Sequence, residues 1–137
     1  MKRIVIITVF LTLVSFTLRG QVTLKIVIKT LAGNAGTVIM DFRDGNDKEL
    51  MNFTENIIDK QCVIAVNGLQ PGKYSFKYFH DENSNRQMDT YWIGAPKEGF
   101  GFSNNAMGKF GPPAFPETVF ELRKDTTIIC TPIYFKF

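Results

Sequence analysis

The fold of this chain is decided by the stretch Leu69-Gln70-Pro71-Gly72-Lys73-Tyr74-Ser75-Phe76-Lys77-Tyr78-Phe79-His80. Its Pro71-Gly72 pair is turn chemistry, because proline presets φ and glycine accepts conformations that other residues avoid. From Lys73 onward, large rings alternate with lysine and serine, which is the period of a strand that buries one face. The residues expected on the buried face are Tyr74, Phe76, Tyr78 and His80. The stretch therefore predicts a turn followed by a strand that is central to the core.

Strand-like runs lie on both sides of this stretch. They cover residues 22–29, 37–42, 61–66 and 118–122, and turn residues at 33–36 predict that the first two runs form a hairpin. Residues 48–53 could form a short edge strand or a connection. Residues 126–137 are predicted as a long final strand in which Pro132 marks a bulge or an edge position. We found no helical periodicity, so the pattern predicts an all-β fold: an antiparallel β-sandwich of transthyretin-like or immunoglobulin-like topology with about seven strands.

The first 20 residues have the pattern of a secretory signal peptide. A basic start, Met1-Lys2-Arg3, precedes an uncharged apolar run from Ile4 to Leu18. This run is shorter than the roughly 20 residues that span a bilayer, which argues against a membrane anchor. We therefore predict cleavage after Gly20 and export to the periplasm or the cell exterior. The mature chain, residues 21–137, should be a single domain without a transmembrane segment.

The mature chain has no formal net charge. Residues 1–20 contain three of the 16 basic residues and none of the 13 acidic residues, so 13 of each remain. None of the remaining stretches gathers lysine and arginine into the basic face that nucleic-acid binding needs. Nucleic acid is therefore not an expected partner.

Two cysteines, Cys62 and Cys130, lie in β-like runs of the mature chain. A disulfide between them can persist in an oxidising compartment, and it would form if their strands are neighbours or face each other across the sandwich. The alternative is two buried free thiols, which behave as small hydrophobic side chains. The residues leave both arrangements open.

Regular alternation is lost after the central strand, and the segment that follows begins with oxygen-bearing groups at every second position. The groups at positions one, three, five, seven and nine of a calcium loop are Asp81, Asn83, Asn85, the Gln87 carbonyl and Asp89. The match is incomplete, because Arg86 stands where an EF-hand has glycine and Trp92 where it has a bidentate glutamate. Glu98 or Glu82 could substitute if the chain folds back. The alternative to bound calcium, the one cofactor that the residues suggest, is a turn whose side chains cap their own backbone.

A second block, Gly94-Ala95-Pro96-Lys97-Glu98-Gly99-Phe100-Gly101-Phe102-Ser103-Asn104-Asn105, has too much glycine for a strand and too many aromatic rings for an idle linker. Aromatic residues argue that this long loop is ordered, since disordered segments are poor in them. Trp92, Phe100 and Phe102 could present a recognition surface, or they could fold inward as a small satellite core. Both interpretations stay open.

The stretch from Leu69-Gln70-Pro71-Gly72-Lys73-Tyr74 through His80-Asp81-Glu82-Asn83, together with the block Gly94 to Asn105, resembles the DUF2141 family of exported bacterial proteins. The resemblance covers nearly all of the mature chain. The family is one of unknown function, so the resemblance implies a fold and a compartment but no reaction.

The function expected from the residues is that of a non-enzymatic binding or structural module of the bacterial cell envelope. Its partner would be a protein or a cell-envelope glycan. The alternative is a hydrolase in which Asp81, Glu82, Asp89 or Glu98 act as acid and base with help from His80. Ser103 lies outside any nucleophile-elbow motif, and a single histidine without nearby thiols offers no zinc ligand set. We therefore expect no catalytic residues.

Overall fold

The computed structural model describes residues 20–137. The predicted signal peptide therefore lies outside the described residues, apart from Gly20. The strands are β1 (Val22–Ile28), β2 (Thr37–Asp44), β3 (Glu49–Asn56), β4 (Cys62–Leu69), β5 (Gly72–Asp81), β6 (Phe100–Phe102), β7 (Phe120–Leu122) and β8 (Thr126–Cys130). A short 3-10 turn, Ser103–Asn105, follows β6, and a one-turn helix, α1 (Phe115–Thr118), precedes β7.

The strands form two sheets, which confirms the predicted all-β sandwich. One sheet has the order β4-β1-β8, and the other has the order β3-β2-β5-β6 with β7 also paired to β5. One pair departs from the antiparallel pattern, because β1 and β8 run parallel. The uncertain region 48–53 is a strand, β3, at the edge of the larger sheet.

The predicted hairpin between the first two strands is wrong. Strand β1 pairs with β4 and β8, whereas β2 pairs with β3 and β5 in the opposite sheet. Both strands bury alternate side chains, Leu24, Ile26 and Ile28 from one sheet and Val38 and Met40 from the other. The two apolar faces meet across the core, which side-by-side pairing in one sheet would prevent.

The core lies between the sheets, and β5 contributes to it as predicted. Tyr74, Phe76, Tyr78 and His80 are all buried, and Phe76 packs against Phe120 of β7 with ring centroids 5.8 Å apart. Full burial of an aromatic or aliphatic side chain stabilises the fold by about 1.5–3 kcal/mol. The alternating stretch is therefore the largest aromatic contribution to this core.

The predicted final strand over residues 126–137 is too long. Strand β8 ends at Cys130, because Pro132 has no amide hydrogen to continue the ladder. The chain then passes to the larger sheet, where Ile133 and Phe100 exchange two backbone hydrogen bonds of 3.0 and 2.7 Å. The last residues thus border the long loop instead of extending β8.

Among residues 20–137, the structure has no helix with the length and apolar character to cross a membrane.

Candidate functional site

The chain turns sharply after β5, and the Asp81 side chain holds this turn. Asp81 is buried, and its two carboxylate oxygens accept hydrogen bonds from the backbone N–H groups of Asn85 (3.1 Å) and Arg86 (2.9 Å). Arg86 adopts a left-handed conformation with φ of 61°. An EF-hand places glycine at this position because the turn needs that conformation. Arg86 therefore adopts the left-handed conformation that glycine provides at this position of an EF-hand.

The other side chains of the loop bond to one another. Asn83 and Asn85 each donate from their side-chain amides to the Asp89 carboxylate, at 2.6 Å and at 3.0 and 3.2 Å. The Asn85 side-chain oxygen accepts the Gln87 N–H at 2.9 Å. The structure thus brings the five predicted calcium-loop residues into one network, in the self-capped arrangement. Within residues 20–137, no group of three histidine, cysteine or carboxylate side chains is placed to hold a metal ion.

Glu98 closes the loop from the opposite end. Its side chain is buried, with 4% of the residue exposed, and its two oxygens accept the N–H groups of Glu82 (2.9 Å) and Asp89 (3.2 Å). The chain folds back here, which is the condition under which Glu98 could substitute for the glutamate that the calcium-loop motif lacks. The carboxylate binds the two backbone amides that flank the turn and so fastens both ends of it.

His80 is fully enclosed and serves as a structural hydrogen-bonding group. Its Nε2 lies 2.7 Å from the Ala35 carbonyl, which only accepts, so Nε2 must carry the hydrogen. Nδ1 then accepts from the Tyr134 hydroxyl at 3.0 Å, and that hydroxyl oxygen accepts the Ala32 N–H at 2.9 Å. Neither ring nitrogen is free to act on a ligand.

Ser103 is also enclosed and completes the sheet. Between the residues of β5 that pair with β7 and those that pair with β6, the Phe76 N–H lacks a strand partner and donates to the Ser103 hydroxyl at 3.0 Å. The hydroxyl donates in turn to the Thr118 carbonyl. A serine in this position replaces a missing ladder bond and is not available as a nucleophile.

The prediction that the block after residue 94 contains no strand is wrong, because Phe100–Phe102 form β6. Gly99 and Gly101 face inward, where a methyl group would collide with the rings of Tyr134 and Tyr78 respectively. Absent side chains at these two positions are what the packing requires. The alternating phenylalanines point to the outer face of the sheet.

An apolar groove of about 690 Å³ lies on this outer face. Phe79, Phe100 and Phe102 belong to its sheet side, and Phe135 packs on Phe100 with ring centroids 5.4 Å apart. Residues 93–96 and 107–112 form other walls, together with Phe137. The charged lining residues are Asp41, Lys77 and Lys109, and Asp41 is paired with Arg43 at 2.7 Å and with Lys77 at 3.5 Å. A cavity of this size and lining has the properties of a small-molecule or peptide site.

One protein-family model matches most of this chain. The family model described as "Uncharacterized protein conserved in bacteria (DUF2141)" matches residues 19–129. The chain belongs to the DUF2141 family. A search of curated proteins and a search of solved structures found no match.

The three aromatic residues singled out in this DUF2141 chain have two different environments. Phe100 and Phe102 are half-buried and form a small aromatic cluster with Phe135, and they also line the groove. Each of these two rings therefore packs in a small aromatic cluster and also lies on the groove surface. Trp92, in contrast, is 96% exposed. Whether any of them binds a partner stays a prediction.

The two cysteines of this DUF2141 protein are buried free thiols, so the disulfide alternative is not observed. Both pair with Ile28 from opposite sides of β1. Two strand spacings put their Cα atoms about 10 Å apart, beyond the reach of a disulfide. Burial raises the pKa of each thiol to about 11.

The sequence of the DUF2141 chain did not indicate the contribution of residues 107–112 and 133–137 to the groove. The one available signal was the high aromatic content of 133–137 at a point where Pro132 ends the strand pattern. Pro132 indicated an edge position. It did not indicate what the following rings contact, because Phe100, on which Phe135 packs, lies more than 30 residues earlier in the chain.

Proposed function

We propose that this protein is an exported, non-enzymatic binding module of the bacterial cell envelope, and that the outer-face groove is its binding site. The observation that carries the proposal is the groove itself, with a volume of about 690 Å³ and mainly apolar walls. Binding pockets for small ligands typically measure about 300–1,000 Å³ and are lined mainly by apolar and aromatic side chains. A rigid frame supports it, since one wall is part of the sheet.

The state of the loop carboxylates favours binding over the hydrolase alternative. Asp81, Asp89 and Glu98 hold backbone or side-chain amides, and His80 has both ring nitrogens bonded. Glu82 is exposed, and its carboxylate lies 3.7 Å from His80 Nδ1, which already accepts the Tyr134 hydroxyl. None of these acids lines the groove. A general acid or base needs a free oxygen within hydrogen-bonding reach of the substrate, and the described acids of this loop do not offer one to the groove.

The walls also favour one class of partner. A glycan carries many hydroxyl groups and needs several polar side chains to bond them, whereas the charged groups of this groove are two lysines and one aspartate that is already paired. An apolar side chain or hydrocarbon group would bury its surface against phenylalanine, methionine and proline. We therefore propose a protein or other envelope component that presents an apolar group.

The test uses 1-anilinonaphthalene-8-sulfonate as an apolar probe in a fluorescence titration of the mature protein. Phe102→Glu places a charge in the groove wall and should weaken probe binding tenfold or more, because 1.4 kcal/mol is a factor of ten in affinity. The matched control is Val63→Glu, which adds the same charge to a half-exposed apolar position on the opposite sheet. Equal probe affinity in the two variants and the unchanged protein would contradict the proposed site.

Export is tested separately. The secreted protein should begin at Gln21, and mass spectrometry of protein recovered outside the cytoplasm measures this directly. Recovery of the uncleaved chain in the cytoplasm would contradict this part of the proposal.

We also propose that calcium can stabilise the loop, because Arg86 keeps the left-handed conformation of a calcium loop and the oxygen-bearing side chains converge. A ligand that binds the folded state raises its stability by mass action. Millimolar calcium should therefore raise the melting temperature over that in chelator, and Asp81→Ala with Asp89→Ala should abolish the shift. Asp59→Ala, at an exposed acid outside the loop, should leave it unchanged. Equal melting temperatures with calcium and with chelator would refute the metal proposal.

A further inference from the structure

Exposed apolar side chains lie in the segments that line the groove, and we call these segments the mouth of the groove. Ten large hydrophobic residues are exposed in the described part of the chain; four of them line the groove, and a fifth, Trp92, is the chain neighbour of the lining residue Ile93. These five lie in three segments that contain groove-lining residues, 91–97, 107–112 and 133–137. Two of these side chains are as exposed as in an extended chain, Trp92 at 96% and Phe110 at 104%. The other three are Ile93, Met107 and Phe137. Apolar surface concentrated in this way marks an interaction site.

The same three segments are basic. They contain Lys97, Lys109 and Lys136, all exposed, and no acidic residue. Residues 21–137 as a whole have 13 basic and 13 acidic residues. Exposed lysines therefore accompany the exposed apolar side chains of these segments, and Asp41, the one acidic lining residue of the groove among residues 20–137, is already paired with Arg43 and Lys77.

From this coincidence we propose that the mouth of the groove docks on an anionic phospholipid bilayer. Trp92, Phe110 and Phe137 enter the boundary between headgroups and acyl chains, the three lysines contact lipid phosphates, and the groove takes an acyl chain. The inference deepens the proposed function, since it names the apolar partner of the same groove. Interfacial binding of this kind increases with buried apolar area and with electrostatic attraction to anionic lipids.

The composition of the mouth favours lipid over a protein partner. Protein interfaces are depleted in lysine, whereas tryptophan and lysine are both suited to the bilayer interface. A lysine there can lay its apolar stem along the hydrocarbon while its ammonium group stays among the phosphates. A second copy of this chain would bring three more lysines against the same three lysines, which like charges oppose.

The protein carries its own reporter, because Trp92 is its only tryptophan and belongs to the proposed contact. Phosphatidylglycerol vesicles at low ionic strength should shift Trp92 emission to the blue and protect it from acrylamide. Phosphatidylcholine vesicles should have much less effect, and salt should weaken binding to the anionic vesicles. Each lysine near an anionic surface contributes about a fivefold change in affinity, so Lys109→Gln with Lys136→Gln should weaken binding about 25-fold. The matched control is Lys25→Gln with Lys124→Gln, at exposed lysines outside the three segments.

Three outcomes would overturn the inference. They are an unchanged Trp92 spectrum with phosphatidylglycerol vesicles, equal weakening by the two lysine pairs, and a blue shift that depends on protein concentration without lipid, which would indicate self-association. Phe110→Ser checks the apolar part and should weaken vesicle binding with the fold intact. If the fluorescent probe still binds the groove while vesicles do not, the lipid inference fails and the proposed function stands. If neither the fluorescent probe nor the vesicles bind, both the lipid inference and the proposed binding site in the groove are refuted.

Discussion

Replacing Glu98 by glutamine should loosen the loop that follows β5. The carboxylate accepts two backbone N–H groups, from Glu82 at 2.9 Å and from Asp89 at 3.2 Å, in a buried position. Glutamine keeps one acceptor oxygen and turns an NH₂ group toward the other amide. A hydrogen bond to a charged group contributes about 1.5–3 kcal/mol, so the free energy of opening the loop should fall by about that much.

The assay is amide hydrogen exchange at Glu82 and Asp89, measured with chelator present so that calcium has no influence. Both amides become exposed when the loop opens, and a loss of about 1.5–3 kcal/mol corresponds to exchange that is about 10- to 160-fold faster. Amides in the middle of β1 and β2 should keep their protection, because the core does not contact this carboxylate.

The matched control is Glu117→Gln. The Glu117 carboxylate also accepts a backbone N–H, from Ala114 at 3.0 Å, but in an exposed position where water can replace it. The free energy of unfolding of the Glu117→Gln protein should change by less than about 0.5 kcal/mol. If Glu98→Gln leaves exchange at Glu82 and Asp89 within twofold of the original rates, the argument that this carboxylate closes the loop is refuted.

Four further predictions concern the core and the groove frame. Tyr78→Phe should raise the free energy of unfolding by about 1 kcal/mol, because the buried Tyr78 hydroxyl has no hydrogen-bond partner within residues 20–137. Tyr134→Phe should lower the free energy of unfolding by about 1–3 kcal/mol, because His80 loses its donor. Urea unfolding measures both changes, and the same sign for the two would contradict the hydrogen-bond assignment. A free-thiol assay should detect both cysteines in protein that is unfolded without a reducing agent. Since the pKa of both thiols is raised from 9.0 to about 11 in the folded state, stability should fall as pH rises from about 9 to 11, and Cys62→Ala with Cys130→Ala should make that fall shallower; an unchanged slope would argue against the raised pKa values. Gly101→Ala should cost about 1–3 kcal/mol, since its methyl group would meet the Tyr78 ring, and a change below about 0.5 kcal/mol would show that the ring can move aside.

The strand pattern was predicted well where a strand buries one face. Tyr74, Phe76 and Tyr78 of β5 are buried as expected, as are alternate residues of β1 and β4. Alternation is a local property, because successive side chains of a strand point to opposite faces whatever the partner strand is. The weak pattern in β3 has the same cause, since that strand is exposed along most of its length and lacks a buried face to reveal it.

The predictions that failed concern which parts of the chain lie against each other. The hairpin of β1 and β2 was inferred from a turn between them, but a turn is equally compatible with a crossing to the other sheet. Strand β6 was missed because Gly99 and Gly101 weaken a strand pattern unless the Tyr134 and Tyr78 rings lie against them. Neither tyrosine is close to its glycine in the chain.

By itself, the sequence determined the all-β class, the buried faces of the main strands and the position of the loop, because each follows from side-chain periodicity or turn chemistry over a few residues. It also determined that the oxygen-bearing residues from Asp81 to Asp89 would act together, since they lie within one turn. Tertiary structure alone decided that Glu98 fastens this turn, that His80 and Ser103 are enclosed, and that three separate segments meet to form a groove. Those features depend on contacts between distant parts of the chain, and such contacts are set by how the two sheets pack and not by any local pattern.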